Sequence, residues 1–421
     1  MATNPQAETT EALLTVPQGV ARLAALPPVR AAIAWFRSQE PQLAQWQLEL
    51  SRIPAPPFGE TARGDWLQAR FREFGLEEIQ ADEVGNVFGM LPGAGTHCIA
   101  LSAHLDTVFP AGTPLNVKQQ GTRLYGPGVS DNGAGVTALL AVAAALQACQ
   151  VPHALPILFI GNVGEEGEGD LRGMRHIFAD SAYKDRILHT LVLDGAGSDT
   201  IVAEALGSRR FEVIVRGPGG HSWSDFGAPN PILVLGRAIH AFAQTPLPTS
   251  PKTTFNVGVI RGGTSVNSIP ESASMRVDIR STSTAEIERM EGALRLALDR
   301  ALEEESRLAA NRSPARRGIG LSSEVVAIGD RPAGELDSGA RILQVVRAVD
   351  AHLGNVAQVQ RASTDANIPL SLGREAIAIG GGGIGGGAHT LQEWFDCNGR
   401  ELGLKRILLT LLALAGAANE S

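Results

Sequence analysis

The chain predicts an α/β fold in which a mostly parallel sheet is flanked by helices and interrupted by a smaller α+β unit. Three observations predict it. Apolar runs of strand length alternate with helical stretches on either side of the chain's middle. Between residues 208 and 330 that pattern gives way to half-polar strands in the order β-α-β-β-α-β, a ferredoxin-like arrangement. The 421 residues also exceed what one core usually supports, so two units are expected, residues 1–207 with 331–421 and residues 208–330.

Residues 1–30, rich in alanine and proline, read as a loose lead-in. A helical pattern from Ala31 to Arg52 carries Trp35, Phe36, Leu43, Trp46 and Leu50 and is interrupted at Pro41. A second helix is expected over Thr61–Phe74, with Trp66, Leu67 and Phe71 on one face. Asn86–Leu91 and Cys98–Ala103 read as strands, followed by an alanine- and leucine-rich helix at Gly133–Gln150. Leu155–Gly161 is a further buried strand, Met174–Ala179 a helix, and Thr190–Asp194 a short apolar strand.

From Arg209 to Arg216 polar and apolar residues alternate, as in a half-exposed antiparallel strand. Pro231–Ala243 and Thr284–Ala309 read as helices, and Thr253–Ile260, Ala273–Arg280 and Gly318–Ile328 as strands. After Pro332 come a helix at Ser338–His352, a strand at Ala376–Gly380 and a closing helix at Leu402–Ala417.

The formal charge of −8 and the pI of 5.7 argue against nucleic acid or an anionic membrane surface as a partner. No apolar run reaches the roughly 20 residues of a membrane helix, and the first residues lack the basic start of a secretory signal. Cys98, Cys149 and Cys397 are too few and too scattered for a disulfide framework. A cytoplasmic protein is expected.

Chemistry-bearing residues gather where apolar runs end. His104 and Asp106 stand in AHLDT, Asp131 in GVSDNGAG, Glu165 and Glu166 in GNVGEEGEGD, Asp194 in LVLDGAG and His389 in GGGAHT. In parallel sheets, ligands collect at the carboxyl ends of strands. Imidazole nitrogen and carboxylate oxygen suit zinc, and a pair of zinc ions needs a bridging carboxylate, one His and one carboxylate for each ion, and a separate base.

The expected assignment is His104, Asp131 and Asp194 on one ion, and Asp131, Glu166 and His389 on the other, with Asp131 shared. Glu165 remains as general base, and Asp106 would orient the His104 imidazole. Taken singly these residues have plainer readings. Asp131 suits a helix N-cap, Asp194 a turn, and the Glu165–Glu166 pair a solvated loop. Their convergence favours the metal reading.

The strings SAHLDTV, GPGVSDNGAG, GNVGEEGEGD, GPGGHS, GGTSVNSIP, VDIRS and GGGAHT, in this order, resemble the co-catalytic zinc exopeptidases. That family includes peptidase T, carboxypeptidase G, acetylornithine deacetylase, succinyl-diaminopimelate desuccinylase and the aminoacylases. The resemblance covers about residues 40–415. It implies the same two-zinc centre, with cobalt or manganese as substitutes, and makes the inserted unit a lid through which a homodimer forms.

The resemblance also implies that His221 stabilises an oxyanion, often across the dimer, and that Asn267 and Arg280 contact substrate, Arg280 as a carboxylate clamp. Gly386 and Gly387 would offer backbone donors beside His389. Aspartate at position 194 is the form found in aminopeptidases and dipeptidases, so cleavage of the N-terminal amide bond of a short peptide is expected. The alternative is an amidohydrolase acting on N-acyl amino acids, and more remotely a catalytically silent peptide-binding homologue. Two departures from the family pattern are the bulky Trp223 after the lid HS pair and the extra acids Glu168 and Asp170, either of which is a candidate contact for a substrate amine.

Overall fold

The computed structural model describes residues 15–312 and 320–416. Its central sheet runs Glu77–Ala81, Val87–Leu91, Ile157–Asn162, Cys98–His104, Ile187–Leu193, Glu375–Ile379, Thr200–Ala205 and Gly334–Glu335, with Gln358–Ala362 also paired to Thr200–Ala205. The four middle strands, from Ile157–Asn162 to Glu375–Ile379, are parallel to one another. Antiparallel pairs flank them. Cys98–His104 and Ile157–Asn162 are buried along their whole length, which is why they read as unbroken apolar runs. The helix Gly133–Ala148 packs against this sheet and is itself almost entirely buried.

Residues 1–14 of the expected lead-in lie outside the described residues, and those that follow differ from expectation. Val16–Ala25 and Pro27–Ser38 are helices, so the stretch after residue 15 is no loose lead-in. Thr15 and Gln18 form a capping box, Pro17 starts the first helix, and Val20 and Leu23 lie in the core against Arg341–Leu353. The expected helix Ala31–Arg52 is two helices, broken at Gln39, because Pro41 sits in the first turn of Glu40–Ser51 rather than interrupting it.

Residues 207–331 build a second sheet in the order Thr253–Gly262, Ser272–Ser281, Gly207–Arg216 and Ser322–Arg331, antiparallel throughout. The helices Pro231–Ala243 and Thr284–Arg312 cover one face, where Phe211, Val213, Met275, Val277 and Ile279 are buried among Val234, Leu235, Met290 and Leu294. The last strand was expected at Gly318–Ile328. Gly318 and Ile319 lie outside the described residues, and the strand continues to Arg331. Ala417 of the expected closing helix is likewise outside them, and that helix spans Arg400–Ala415. Among the described residues no helix is long and apolar enough to cross a membrane, and the three cysteines are unpaired.

Candidate metal centre and active site

Three of the four parallel middle strands carry site residues at their carboxyl ends. His104 is the last residue of Cys98–His104. Glu165 and Glu166 follow Ile157–Asn162 by a few residues, and Asp194 directly follows Ile187–Leu193, its N–H donating to Ile379 O at 3.0 Å. Asp131 and His389 arrive differently, from loops beside a small sheet of Lys118–Gln120, Arg123–Tyr125, Trp394–Asp396 and Ile384–Gly386.

Asp131 lies between the two histidines. Its Oδ1 is 3.2 Å from His104 Nε2, and its Oδ2 is 3.1 Å from His389 Nε2. Asp194 Oδ1 approaches His104 Nε2 at 3.9 Å, and Glu166 Oε1 approaches His389 Nε2 at 3.1 Å. Two triads of potential ligand atoms result, His104–Asp131–Asp194 and Asp131–Glu166–His389, each within 4.8 Å, and a third is formed by His104, Glu165 and Glu166. His104 Nε2 and Asp131 Oδ1 are buried and face each other without making a hydrogen bond. A pair of orphaned donor atoms of this kind, with only nitrogen and oxygen around it, fits a cation.

The electrostatics agree. Burial, then the charges of Glu165 and Asp131, pushes Glu166 up to about 8, and burial with Asp131 pushes Asp194 up to about 7. The hydrogen bond to Asp131 raises His389 to about 9. His104 is pulled down by burial, yet the carboxylates of Asp106 and Asp131 outweigh that and leave it raised. Burial and crowding thus disfavour ionisation of Glu166 and Asp194, and positive charge beside them would reverse that.

Asp131 does not cap the helix that follows it. The N-cap is Asn132, whose Oδ1 accepts from Gly135 N at 3.1 Å and Gly195 N at 3.0 Å, while its Nδ2 donates to Leu193 O at 2.9 Å. The Asp131 carboxylate is thereby left for the histidines.

Asp106 touches His104 chiefly through its backbone carbonyl, which lies 3.1 Å from Nδ1, with its carboxylate at 3.6 Å. The carboxylate is occupied in accepting the backbone N–H groups of Glu165 at 3.0 Å and Glu166 at 2.8 Å. It therefore holds the acidic pair as well as the ring.

Glu165 is buried and meets a residue that the sequence did not single out. Arg331, the last residue of the insert's final strand, donates from Nη1 to Glu165 Oε1 at 2.9 Å and to Ser363 Oγ at 3.2 Å, and from Nη2 to the Glu165 carbonyl. Asp365 is also buried nearby and accepts from Asn162 Nδ2 at 2.6 Å. Lone polar residues between ordinary loops gave no periodic or spacing signal for either.

His221, Asn267, Arg280 and Asp170 bond to residues outside the carboxylate cluster. His221 is exposed on Gly220–His221, which pairs with Ser268–Ile269, and its Nδ1 accepts from Trp223 N at 3.2 Å. Asn267 is exposed and accepts from Ser265 Oγ at 2.5 Å. Arg280 donates to Asp278 Oδ2 at 2.7 Å. Asp170 faces neither cavity nor cluster, for it bonds Arg175 and the Asp330 N–H at the base of the insert. Gly386 packs where a side chain would strike the Trp394 ring at 2.8 Å, and Gly387 adopts φ +69°, so both need glycine. They line a cavity of about 590 Å³ with Ser130, Asp131, Gly195–Asp199 and Gly383–Ala388.

Comparison with known proteins shows relatives over most of the chain. Over 223 residues the chain is 30% identical to a protein of Ajellomyces dermatitidis described as "Probable carboxypeptidase", the alignment covering 48% of this chain and 50% of the relative, so it spans about half the length of that curated relative. The solved aminopeptidase PepT of Bacillus cereus superposes with a TM-score of 0.71 at 20% identity, covering 90% of this chain and 99% of the other. A tripeptidase of Staphylococcus aureus gives 0.69 at 21%, covering 89% and 98%. At those identities the two structures establish a shared fold. The profile of Peptidase family M20/M25/M40 matches residues 100–413, a span that holds every residue of the carboxylate–histidine cluster, and the chain belongs to that family.

Proposed function

We propose that this protein hydrolyses the N-terminal amide bond of short peptides, as a tripeptidase or dipeptidase does, with two zinc ions at its centre and cobalt or manganese as substitutes. The observation that carries the reading is Asp131 set between His104 and His389, one carboxylate oxygen toward each ring. His104, Asp131 and Asp194 would hold one ion, and Asp131, Glu166 and His389 the other. When bound, such ions polarise the scissile carbonyl and make a water molecule acidic enough to attack at neutral pH.

The chain's own groups do the rest. Glu165 is held through Oε1 by Arg331, leaving Oε2 to take a proton from the attacking water. The water's oxygen bonds to the carbonyl carbon, the C–N bond breaks, and Glu165 returns the proton to the departing amine. Asp106 keeps Glu165 and Glu166 in place through their backbone N–H groups. Backbone N–H groups of Gly386 and Gly387 would meet substrate beside His389.

Two features favour a peptide with a free amine over an N-acyl amino acid. Asp194 occupies the first triad, and Asp199, the charged group that lines the adjoining cavity beside the ligand Asp131, is acidic, which suits an ammonium group and repels a carboxylate. Arg280 and Asn267 would serve the substrate's far end, where a terminal carboxylate must displace Asp278 from the Arg280 guanidinium. The similarity to a carboxypeptidase favours the second reading, removal of an acyl group from an amino acid.

The insert is also proposed to join two copies. Thr253–Gly262 is an edge strand whose outer half is exposed, and Val259, Ile260, Val266, Ile232 and Leu233 lie open around it. A long exposed edge with apolar side chains is unusual unless something pairs with it. In such a dimer His221, with Nδ1 occupied by the Trp223 N–H, would present Nε2 to the partner's site. The unpaired thiols suit the cytoplasm.

A panel of free-amine di- and tripeptides beside N-acyl amino acids, assayed with metals fully loaded, tests the proposal. Turnover of the free-amine peptides is expected. Turnover confined to the acylated compounds would make the protein a deacylase, and none at all would leave a binding protein.

A further inference from the structure

Glu393 stands four residues beyond His389, in the turn leading to Trp394–Asp396, and is fully buried. Its carboxylate touches none of the six residues of the cluster through a side chain. Instead it gathers three backbone donors from the Asp131 loop. Oε2 accepts from Gly128 N at 2.7 Å, and Oε1 accepts from Ser130 N at 2.8 Å and Asp131 N at 2.7 Å. Its own carbonyl accepts from Gly126 N at 2.9 Å. Residues 126–131 and the His389 loop, more than 250 positions apart in sequence, are thus tied together by one side chain and its carbonyl.

Gln47 and Ser51 reach this loop through its carbonyls, Val129 O at 2.5 Å and Gly128 O at 3.5 Å, whereas Glu393 takes its N–H groups. Gly126 and Gly128 take φ of +141° and +73°, conformations that glycine adopts without fixing them. Three N–H groups converging on one ionised carboxylate make short, charge-assisted bonds, which an amide in its place cannot reproduce because one of its two ends is a donor.

We infer that Glu393 is a positioning residue that locks the Asp131 and His389 loops in register, setting the spacing of the Asp131–Glu166–His389 triad. The inference rests on the two-metal reading above. Glu166 is fixed separately by Asp106, and His104 and Asp194 are fixed by the ends of central strands. Losing Glu393 therefore strikes the two ions unequally.

The test is calorimetric zinc titration of metal-free wild type and Glu393→Gln, with the melting temperature of each metal-free protein. Residues that support ligands typically change metal affinity about 10- to 100-fold. The expected result is a loss of that size at one of the two sites and a clearly smaller loss at the other, which shares only Asp131 with the clamped loops. Equal weakening of both sites, or two sites unchanged, would overturn the inference. If the variant does not fold, amide hydrogen exchange in metal-free wild type decides. Slow exchange at Gly128, Ser130 and Asp131 is expected, and free exchange there removes the clamp. A wild type that binds fewer than two ions refutes the metal reading instead, whatever the amides do.

Discussion

Glu165 differs from its neighbour Glu166 in what surrounds it, although the two are adjacent in sequence. Glu166 faces His389, whereas Glu165 turns toward Arg331. If Glu165 is the base and not a ligand, Glu165→Ala should retain both metals while kcat falls about 10²- to 10⁴-fold, as loss of a general base does. Metal analysis beside steady-state kinetics checks both halves. Six residues of the cluster are legible in the sequence because each stands where an apolar run gives way to glycine or a loop. In the fold only His104 and Asp194 sit directly at central-strand ends, with Asp131 and His389 on loops. Arg331, Asp365 and Glu393 are not legible. Each acts on a partner that only the folded chain brings near, and an isolated buried charge looks the same in sequence as a solvated one.

Elements show the same division. The central strands are read correctly because burial on both faces demands continuous apolar runs, as in Ile99–Ala103 and Ile157–Ile160. The edge strands Glu77–Ala81 and Gln358–Ala362 escape notice because half-exposed backbone pairing leaves the side chains free to be polar. The helix Val16–Ala25 escapes because its two buried residues, Val20 and Leu23, form too narrow a stripe among alanines. The helix Gly133–Ala148 depends on a single side chain at its start. Asn132→Ala removes the cap and strips buried partners from Leu193 O and Gly195 N, so stability should fall by about 1–3 kcal/mol in urea unfolding, with the slope unchanged.

At the level of the molecule, the parallel sheet aims strand ends at one spot, and the insert reaches that spot through Arg331 at the close of its last strand. The insert's outer edge carries the surface assigned above to a second copy. Ile260→Asp puts a charge on that edge, away from the buried core, and should convert a dimer to a monomer in sedimentation velocity while the metal-free melting temperature stays close to wild type. A wild-type protein that already sediments as a monomer would refute the pairing. The central claim, however, is the shared carboxylate. Anomalous diffraction at the zinc edge from zinc-loaded crystals measures it directly. The account predicts two peaks about 3.5–4 Å apart, one on either side of the Asp131 carboxylate, with His104 at one and His389 at the other. A single peak, or two that do not share Asp131, would contradict it.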